Sequence, residues 1–257
     1  MRFTGGLVRA PADTFAAGLT TARLGAPDLA VALEQHEAYC RALEGLGLTL
    51  ARLEADPRHP DSTFVEDTAV VTPSGVMLTR PGAPSRRGEV AAIAEALRGG
   101  HAEHAEIASP GTVDGGDVCE AGEHFFIGLS LRTNREGAGQ LTRWLAAQGF
   151  SSSLIDIRGM PDLLHLKSGL SWLGGRRLTA AGDLARHPAF EGWAIIRVPE
   201  GEWYAANCIR INEAVLVAQG YPATVKLFGG LGLEVVTLDV SEYRKMDGGL
   251  SCLSLRW

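Results

Sequence analysis

The sequence predicts an α/β protein assembled from repeated hairpin-plus-helix units, arranged as a ring or a stack. Three observations carry this expectation. The strand-like runs FVEDTAVV and VMLTR flank a Ser-Gly turn, and a helical pattern over EVAAIAEALR follows. GGDVCEA and HFFIGLS flank a Gly-Glu turn in the same way and precede a helix through Leu141, Trp144 and Leu145. NCIRI and AVLVAQ flank Asn212-Glu213, then a short helical piece leads into LEVVTLDV. A weaker copy surrounds LLHLKSGLSWLGG, and GGLSCLSLRW forms a final half-unit. The period is about 40–50 residues and the count about five units. Joining an early strand to the final one would close such a ring and remove an exposed edge.

The first helix is expected from about Asp28 to Leu46, with Leu29, Leu33, Cys40 and Leu43 on one face. A strand is expected at Leu48–Leu53, followed by the polar loop ADPRHPDS. EVAAIAEALR places Val90, Ile93, Ala94 and Leu97 at helical spacing and stops at Gly99-Gly100. HAEHAE, with His101 and His104, reads as a solvated connector rather than a metal site. Asp67, Asp117 and Asn207 share a property: each opens a hairpin with a short polar side chain.

The 257 residues are 46% hydrophobic, which suits one domain over 1–257 with a sizeable core. A net charge of -6 with no basic stripe argues against nucleic acid as a partner. No run approaches the roughly 18 apolar residues of a membrane-spanning helix, so no membrane partner is expected. The first residues lack the apolar core of a signal peptide, and the four cysteines show no paired spacing, so cytoplasm is the expected compartment.

Cys252 stands apart from Cys40, Cys119 and Cys208, which read as structural thiols. It follows the pair Gly248-Gly249, which lets backbone approach a ligand, and the small polar Ser251. A strand through LLHLKS would put His165 and Lys167 on one face, toward a polar cavity rather than a core. A cysteine nucleophile needs a partner that exchanges protons near neutrality, and histidine suits that task. Asp61, Glu66, Asp67, Asp114 and Asp117 cluster beside apolar strands, where turn chemistry is the plain alternative. Carboxylates gathered around a small cleft match a planar guanidinium; a hard metal ion is the competing ligand. Arg86, Arg87 and Arg132 lie in the loops after two hairpins and could hold a carboxylate bidentately. Acids for one end and arginines for the other describe an amino acid with a basic side chain.

FVEDTAVV, RPGAPSRR, DGGDV, FFIGLSLRTN, LLHLKS, AANCI and MDGGLSC together resemble the dimethylarginine dimethylaminohydrolases of the guanidino-group-modifying (pentein) superfamily. These seven ordered motifs span most of the chain, from about residue 60 onward. The resemblance implies a five-bladed α/β propeller of ββαβ units with pseudo-fivefold symmetry around a negatively charged channel. It implies Cys252 as nucleophile, His165 as general acid/base and Asp114 as the acid orienting the histidine. Asp61, Glu66 and Asp67 would surround the amino and guanidinium groups of a methylated arginine, Arg86 and Arg132 would hold its α-carboxylate, and Leu19 and Met246 would line the pocket. Some relatives carry Glu where Asp114 stands. The implied reaction yields citrulline and an alkylamine, without cofactor or metal. A homodimer is carried as an expectation that the residues do not decide. The alternatives are an amidinohydrolase of the arginine deiminase type, acting on an unmethylated guanidino compound, and a non-catalytic scaffold on the same fold.

Overall fold

A computed structural model describes residues 2–98, 100, 103–160 and 162–257. Among the described residues, fifteen strands form five three-stranded sheets. The first holds β15 (Leu255–Arg256), β1 (Gly5–Arg9) and β2 (Thr49–Leu53), the second β3 (Ala69–Thr72), β4 (Gly75–Leu78) and β5 (Glu103–Glu106). The third contains β6 (Val118–Ala121), β7 (His124–Leu129) and β8 (Ser151–Asp156), the fourth β9 (Leu170–Gly174), β10 (Arg177–Ala180) and β11 (Ala194–Arg197). The fifth is β12 (Ile209–Ile211), β13 (Ala214–Ala218) and β14 (Glu234–Leu238). In every sheet the middle strand runs antiparallel to one neighbour and parallel to the other.

The parallel pair needs a crossover, and a helix supplies it. The crossovers are α1 (Leu29–Gly45), α2 (Val90–Leu97), α3 (Arg135–Ala147) and α4 (Pro222–Gly230); α5 (Ser241–Arg244) is a single turn after β14. The fourth sheet, the weak copy in the sequence, crosses over through the 3-10 segments Gly182–Arg186 and Pro188–Phe190 instead. β1 pairs with both β15 and β2, so the two ends of the chain share one sheet, as anticipated for ring closure. These blades form the five-bladed α/β propeller.

Asp28 caps α1 by accepting from the Ala30 and Val31 amides. The buried face of that helix is Ala32, Gln35, His36, Tyr39, Cys40 and Leu43, whereas Leu33 is 42% exposed. The apolar spacing therefore placed Leu33 on the wrong side, because buried Gln35 and His36 carry part of the stripe. Gln35 is fixed there by bonds with Ser241 Oγ and the Glu242 amide. In α3, Leu141, Trp144 and Leu145 pack on Phe125 and Ile127 as expected. His104 lies in β5, an outer strand, rather than in a connector; His104 and Glu106 are exposed on one face while Ala105 is half-buried on the other. His101 and Gly99 fall outside the described residues.

The largest departure concerns the start of each inner strand. FVEDTAVV does not begin as strand: Val65–Thr68 is a 3-10 turn, and only Ala69 onward pairs. The same device recurs at Gly115–Asp117, Leu166–Ser168, Trp203–Ala206 and Leu250–Leu253. Each blade therefore enters its inner strand through a tight turn. The turns pack in series, the last against the first and each of the first three against the next. Side chains of one turn satisfy the backbone of another. Asp67 Oδ1 accepts the Gly116 amide at 2.8 Å, Asp117 Oδ1 the Leu166 amide at 3.0 Å, and Asn207 Oδ1 the Ser251 amide at 2.9 Å. The short polar residues that open the hairpins are thus latches between blades. No alternation pattern shows this, because each partner lies roughly one repeat or more away.

Candidate active site

The ring of turns brings together residues from distant parts of the chain. His165 caps the Leu166–Ser168 turn in extended backbone, not in a strand, and its Nε2 lies 3.1 Å from Asp114 Oδ2. Asp114 is fully buried, and its other oxygen accepts the Gly82 amide at 2.8 Å. The imidazole Nδ1 lies over Gly116, where an added Cβ would come within 2.8 Å of it; only glycine allows that approach. Burial alone would lower the His165 pKa, but Asp67, the Asp114 hydrogen bond and Asp117 outweigh it and hold it at about 9. Asp67, although buried, is held down at about 2 by His165, Arg86 and the Gly116 amide. Asp117, fully buried, is pushed up to about 6 by that burial, against His165 and the hydroxyls of Ser130 and Thr133, each 2.6 Å from Oδ2.

Cys252 sits inside the Leu250–Leu253 turn rather than at the start of a strand, and it is partly exposed while Cys40, Cys119 and Cys208 are buried. Burial and the anionic Glu66 and Asp67 push its thiol up to about 12; the Gly249 hydrogen bond and Lys167 act the other way. Asp67 therefore acts on both the thiol and the imidazole, with opposite effect on the charged form of each.

Other side chains assigned by the resemblance occupy more committed positions. Arg86 is 5% exposed and buried among its own acceptors: Nη1 meets Asp67 at 2.5 Å, Nε and Nη2 meet Glu89, and Nη2 also donates to the Phe64 carbonyl at 3.0 Å. A substrate carboxylate would have to share that guanidinium with Asp67. Glu66 is likewise engaged, by Lys167 Nζ at 2.6 Å, Ser251 Oγ at 2.8 Å and Arg256 Nη2 at 3.3 Å. Arg132 is half-buried, its backbone packs against Gly82, and its charge bears on Asp61.

A segment at 18–21 is tied down beside Asp61 and the Lys245–Asp247 stretch. Asp61 accepts the Leu19 amide at 2.9 Å, Thr20 Oγ1 donates to the Lys245 carbonyl at 2.9 Å, and Thr21 donates twice to Asp247. Met246 is buried, with its methyl against Gly18. A cleft of about 690 Å³ opens beside the segment, between Leu24, Leu131, Leu163 and Trp203, and reaches Asn207 and Gly248 next to the Cys252 turn. A second space of about 110 Å³ lies in the channel behind the turns, where Glu66, Lys167 and Ser251 separate it from the cysteine side.

Asp67, Asp114 and His165 offer ligand atoms within 4.8 Å of one another, the spacing of a metal site. Their oxygens are already taken by Arg86, Gly116, Gly82 and the imidazole, so the set fits a proton-exchanging cluster better than a coordination shell. Asn207, Arg256, Thr21 and Asp247 also lie around this cluster although the residue patterns did not single them out for it, and Asp117, read only as one of the clustered acids, latches one turn to the next. The polar residue opening each hairpin was the available signal for Asp117 and Asn207; nothing local marks the others.

No protein-family profile matches the chain. It is 46% identical over 252 residues to the N(G),N(G)-dimethylarginine dimethylaminohydrolase of Pseudomonas aeruginosa, covering 98% of each chain. Identity to the protein of the same name from Streptomyces coelicolor is 36% over 253 residues, covering 97% of this chain and 95% of that one. Among solved structures, a cysteine-to-serine mutant of the Pseudomonas aeruginosa protein complexed with citrulline superposes with a TM-score of 0.97 at 45% identity, over 100% of both chains. The N-terminal domain of ArgZ, at 17% identity and a TM-score of 0.87 over 98% of this chain and 97% of that one, shares the fold. The fold is that of the guanidino-group-modifying, or pentein, superfamily. Within it, the chain belongs to the dimethylarginine dimethylaminohydrolase family.

Proposed function

We propose that this protein hydrolyses Nω-methylated arginines to citrulline and methylamine or dimethylamine, with Cys252 as nucleophile and His165 as general acid and base. The observation that carries the reading is an imidazole hydrogen-bonded to Asp114 with Asp67 beside it, in one ring of turns with a partly exposed thiol. The near identity of fold with a citrulline-bound relative supports it.

The resting thiol is neutral, since burial and two carboxylates oppose its ionisation. A guanidinium seated beside Asp67 brings the missing positive charge, and the thiol then loses its proton to solvent. Thiolate attack on the guanidinium carbon gives a tetrahedral adduct. With Nε2 on Asp114, Nδ1 is the nitrogen left to exchange a proton with the reacting atoms. It protonates the departing amine as the C–N bond breaks, leaving an S-alkylthiouronium on Cys252. Neutral His165 then takes a proton from water, the hydroxide adds to the same carbon, and collapse expels the thiolate and citrulline. Asp67 keeps the guanidinium plane in place, Asp114 fixes the imidazole, and Arg132, with a shared Arg86, faces the α-carboxylate. Asp61 holds the 18–21 segment through Leu19 and lies where the α-amino group would.

The four free cysteines and the lack, among the described residues, of a helix able to cross a membrane support a cytoplasmic setting. A homodimer is retained as part of the proposal, to be read from the solution mass.

The test offers dimethylarginine, monomethylarginine and arginine separately and measures citrulline together with the released amine or ammonia. Citrulline from the methylated compounds is the expected result. Citrulline with ammonia from arginine alone would favour the deiminase-type alternative, and no product from any of them would leave the non-catalytic scaffold.

A further inference from the structure

The Cys252 turn is gripped from behind. Arg256, in β15, sends Nη1 to the Ser251 carbonyl at 3.2 Å, the Ser254 carbonyl at 2.9 Å and Ser254 Oγ at 2.7 Å. Ser254 Oγ is fixed in turn by the Tyr39 hydroxyl at 2.6 Å. One guanidinium thus holds both flanks of the residue that carries the thiol. Its Nη2 reaches Glu66 Oε1 at 3.3 Å, and Glu66 also takes Ser251 Oγ and Lys167 Nζ. Glu66 is one of the two anions that oppose ionisation of the thiol; Lys167 acts on the sulfur directly, and Arg256 offsets Glu66 through their ion pair.

We propose that Arg256 is a positioning residue for the nucleophile: it fixes the Leu250–Leu253 turn from the channel side and, by offsetting Glu66, governs how readily Cys252 ionises. The proposal rests on Cys252 being the nucleophile, and it assigns Glu66 to this clamp rather than to direct substrate contact. The charged and titratable groups around the thiol are few. Glu66 and Asp67 come from the Val65–Thr68 turn, His165 and Lys167 from the next-but-one turn, and Tyr204 from the Trp203–Ala206 turn, where its hydroxyl donates to the Gly248 carbonyl. Glu120, from β6, faces Arg256 across the channel, where burial raises its carboxyl to about 7. Without the Arg256 charge, more of the Glu66 field falls on the sulfur.

The experiment measures the rate of Cys252 alkylation by iodoacetamide in the full chain at fixed pH below the thiol's midpoint, where a one-unit shift of the midpoint is about a tenfold change in rate, read by mass spectrometry of its peptide alongside methylarginine turnover. The other three cysteines are buried and serve as internal controls. Arg256→Gln should move the alkylation midpoint up by about one pH unit and lower kcat/KM near neutrality about tenfold, with KM changed far less. Arg256→Lys, which keeps the charge, should return the midpoint close to that of the wild type while recovering only part of the rate. A folded Arg256→Gln chain with an unmoved midpoint overturns the proposal. Should that variant fail to fold, Glu66→Gln decides instead: the midpoint must move down, and one that stays put overturns the proposal equally. Wild-type protein inactive on every methylarginine would sink the functional reading, while the alkylation midpoints would still test the role of Arg256.

Discussion

His165 stays protonated well above neutrality because Asp67 and Asp114 face it from two sides in a place water cannot screen. That charge state suits an acid for the first half of the proposed reaction. Replacing His165 by Gly should lower turnover by a factor of about 10²–10⁴ while the thiol can still be trapped as a covalent adduct, visible as a mass increment on the Cys252 peptide. Cys252→Ser should abolish citrulline formation and retain binding, checked by calorimetric titration with monomethylarginine. The raised pKa also makes a stability statement. The folded value of about 9 exceeds the ordinary 6.5, so folding takes up a proton; the contribution is complete below pH 6.5 and is lost as pH rises through 9. The melting-temperature advantage of wild type over His165→Gln should therefore shrink steadily between those limits, and an advantage that grows with pH would contradict the assignment. At this scale the sequence was informative about identity and poor about commitment. A histidine, a cysteine and clustered acids were visible, but the partners that hold Glu66, namely Lys167 and Ser251, lie far away in sequence, and those of Arg86 lie in a preceding turn and one helical turn ahead, where no residue pattern pairs them.

The 3-10 turns at the heads of the inner strands are the elements that make the site. Hairpins and crossover helices could be read from alternation and helical spacing, because those patterns reflect burial within one blade. The turns could not, since what stabilises them is a carboxylate or amide from another blade. Asp117 is the clearest case: its oxygens accept from the Leu166 amide and from the hydroxyls of Ser130 and Thr133. Asp117→Ala would leave those donors unpaired in a buried place and should cost about 3–5 kcal/mol in urea denaturation, more than a core methyl deletion. The 18–21 segment is held by a lighter set of bonds. Asp247, at a positive φ of 58°, presents its carboxylate to Thr21. Asp247→Ala should raise KM several-fold with a stability loss below about 1 kcal/mol, and limited proteolysis within 18–25 should accelerate.

Closure of the ring ties these turns to one another. An open stack of blades would leave its terminal repeats with one neighbour each, and they would fray. Here the sheet that contains the Cys252 turn's own strand is built from both chain ends, with Gly6 opposite Arg256 and Leu7 opposite Leu255. The seam is tight: the Thr4 and Gly5 amides both donate to the Trp257 carbonyl, and an added Cβ at Gly5 would lie 2.3 Å from the Trp257 indole nitrogen. Whether the seam carries cooperativity can be asked with Gly5→Val, which forces the indole off the strand while leaving Arg256 and every site residue unchanged. Overpacking of this kind costs about 1–3 kcal/mol, or roughly 3–10 °C in melting temperature for a chain this long. Because the strand being displaced follows directly on the Leu250–Leu253 turn, turnover should fall along with stability. Gly139→Ala, on a crossover helix far from the seam, is the control and should leave both unchanged or raise stability slightly. If Gly5→Val lowers the melting temperature without touching turnover, the closing strand stabilises the ring but does not position the nucleophile.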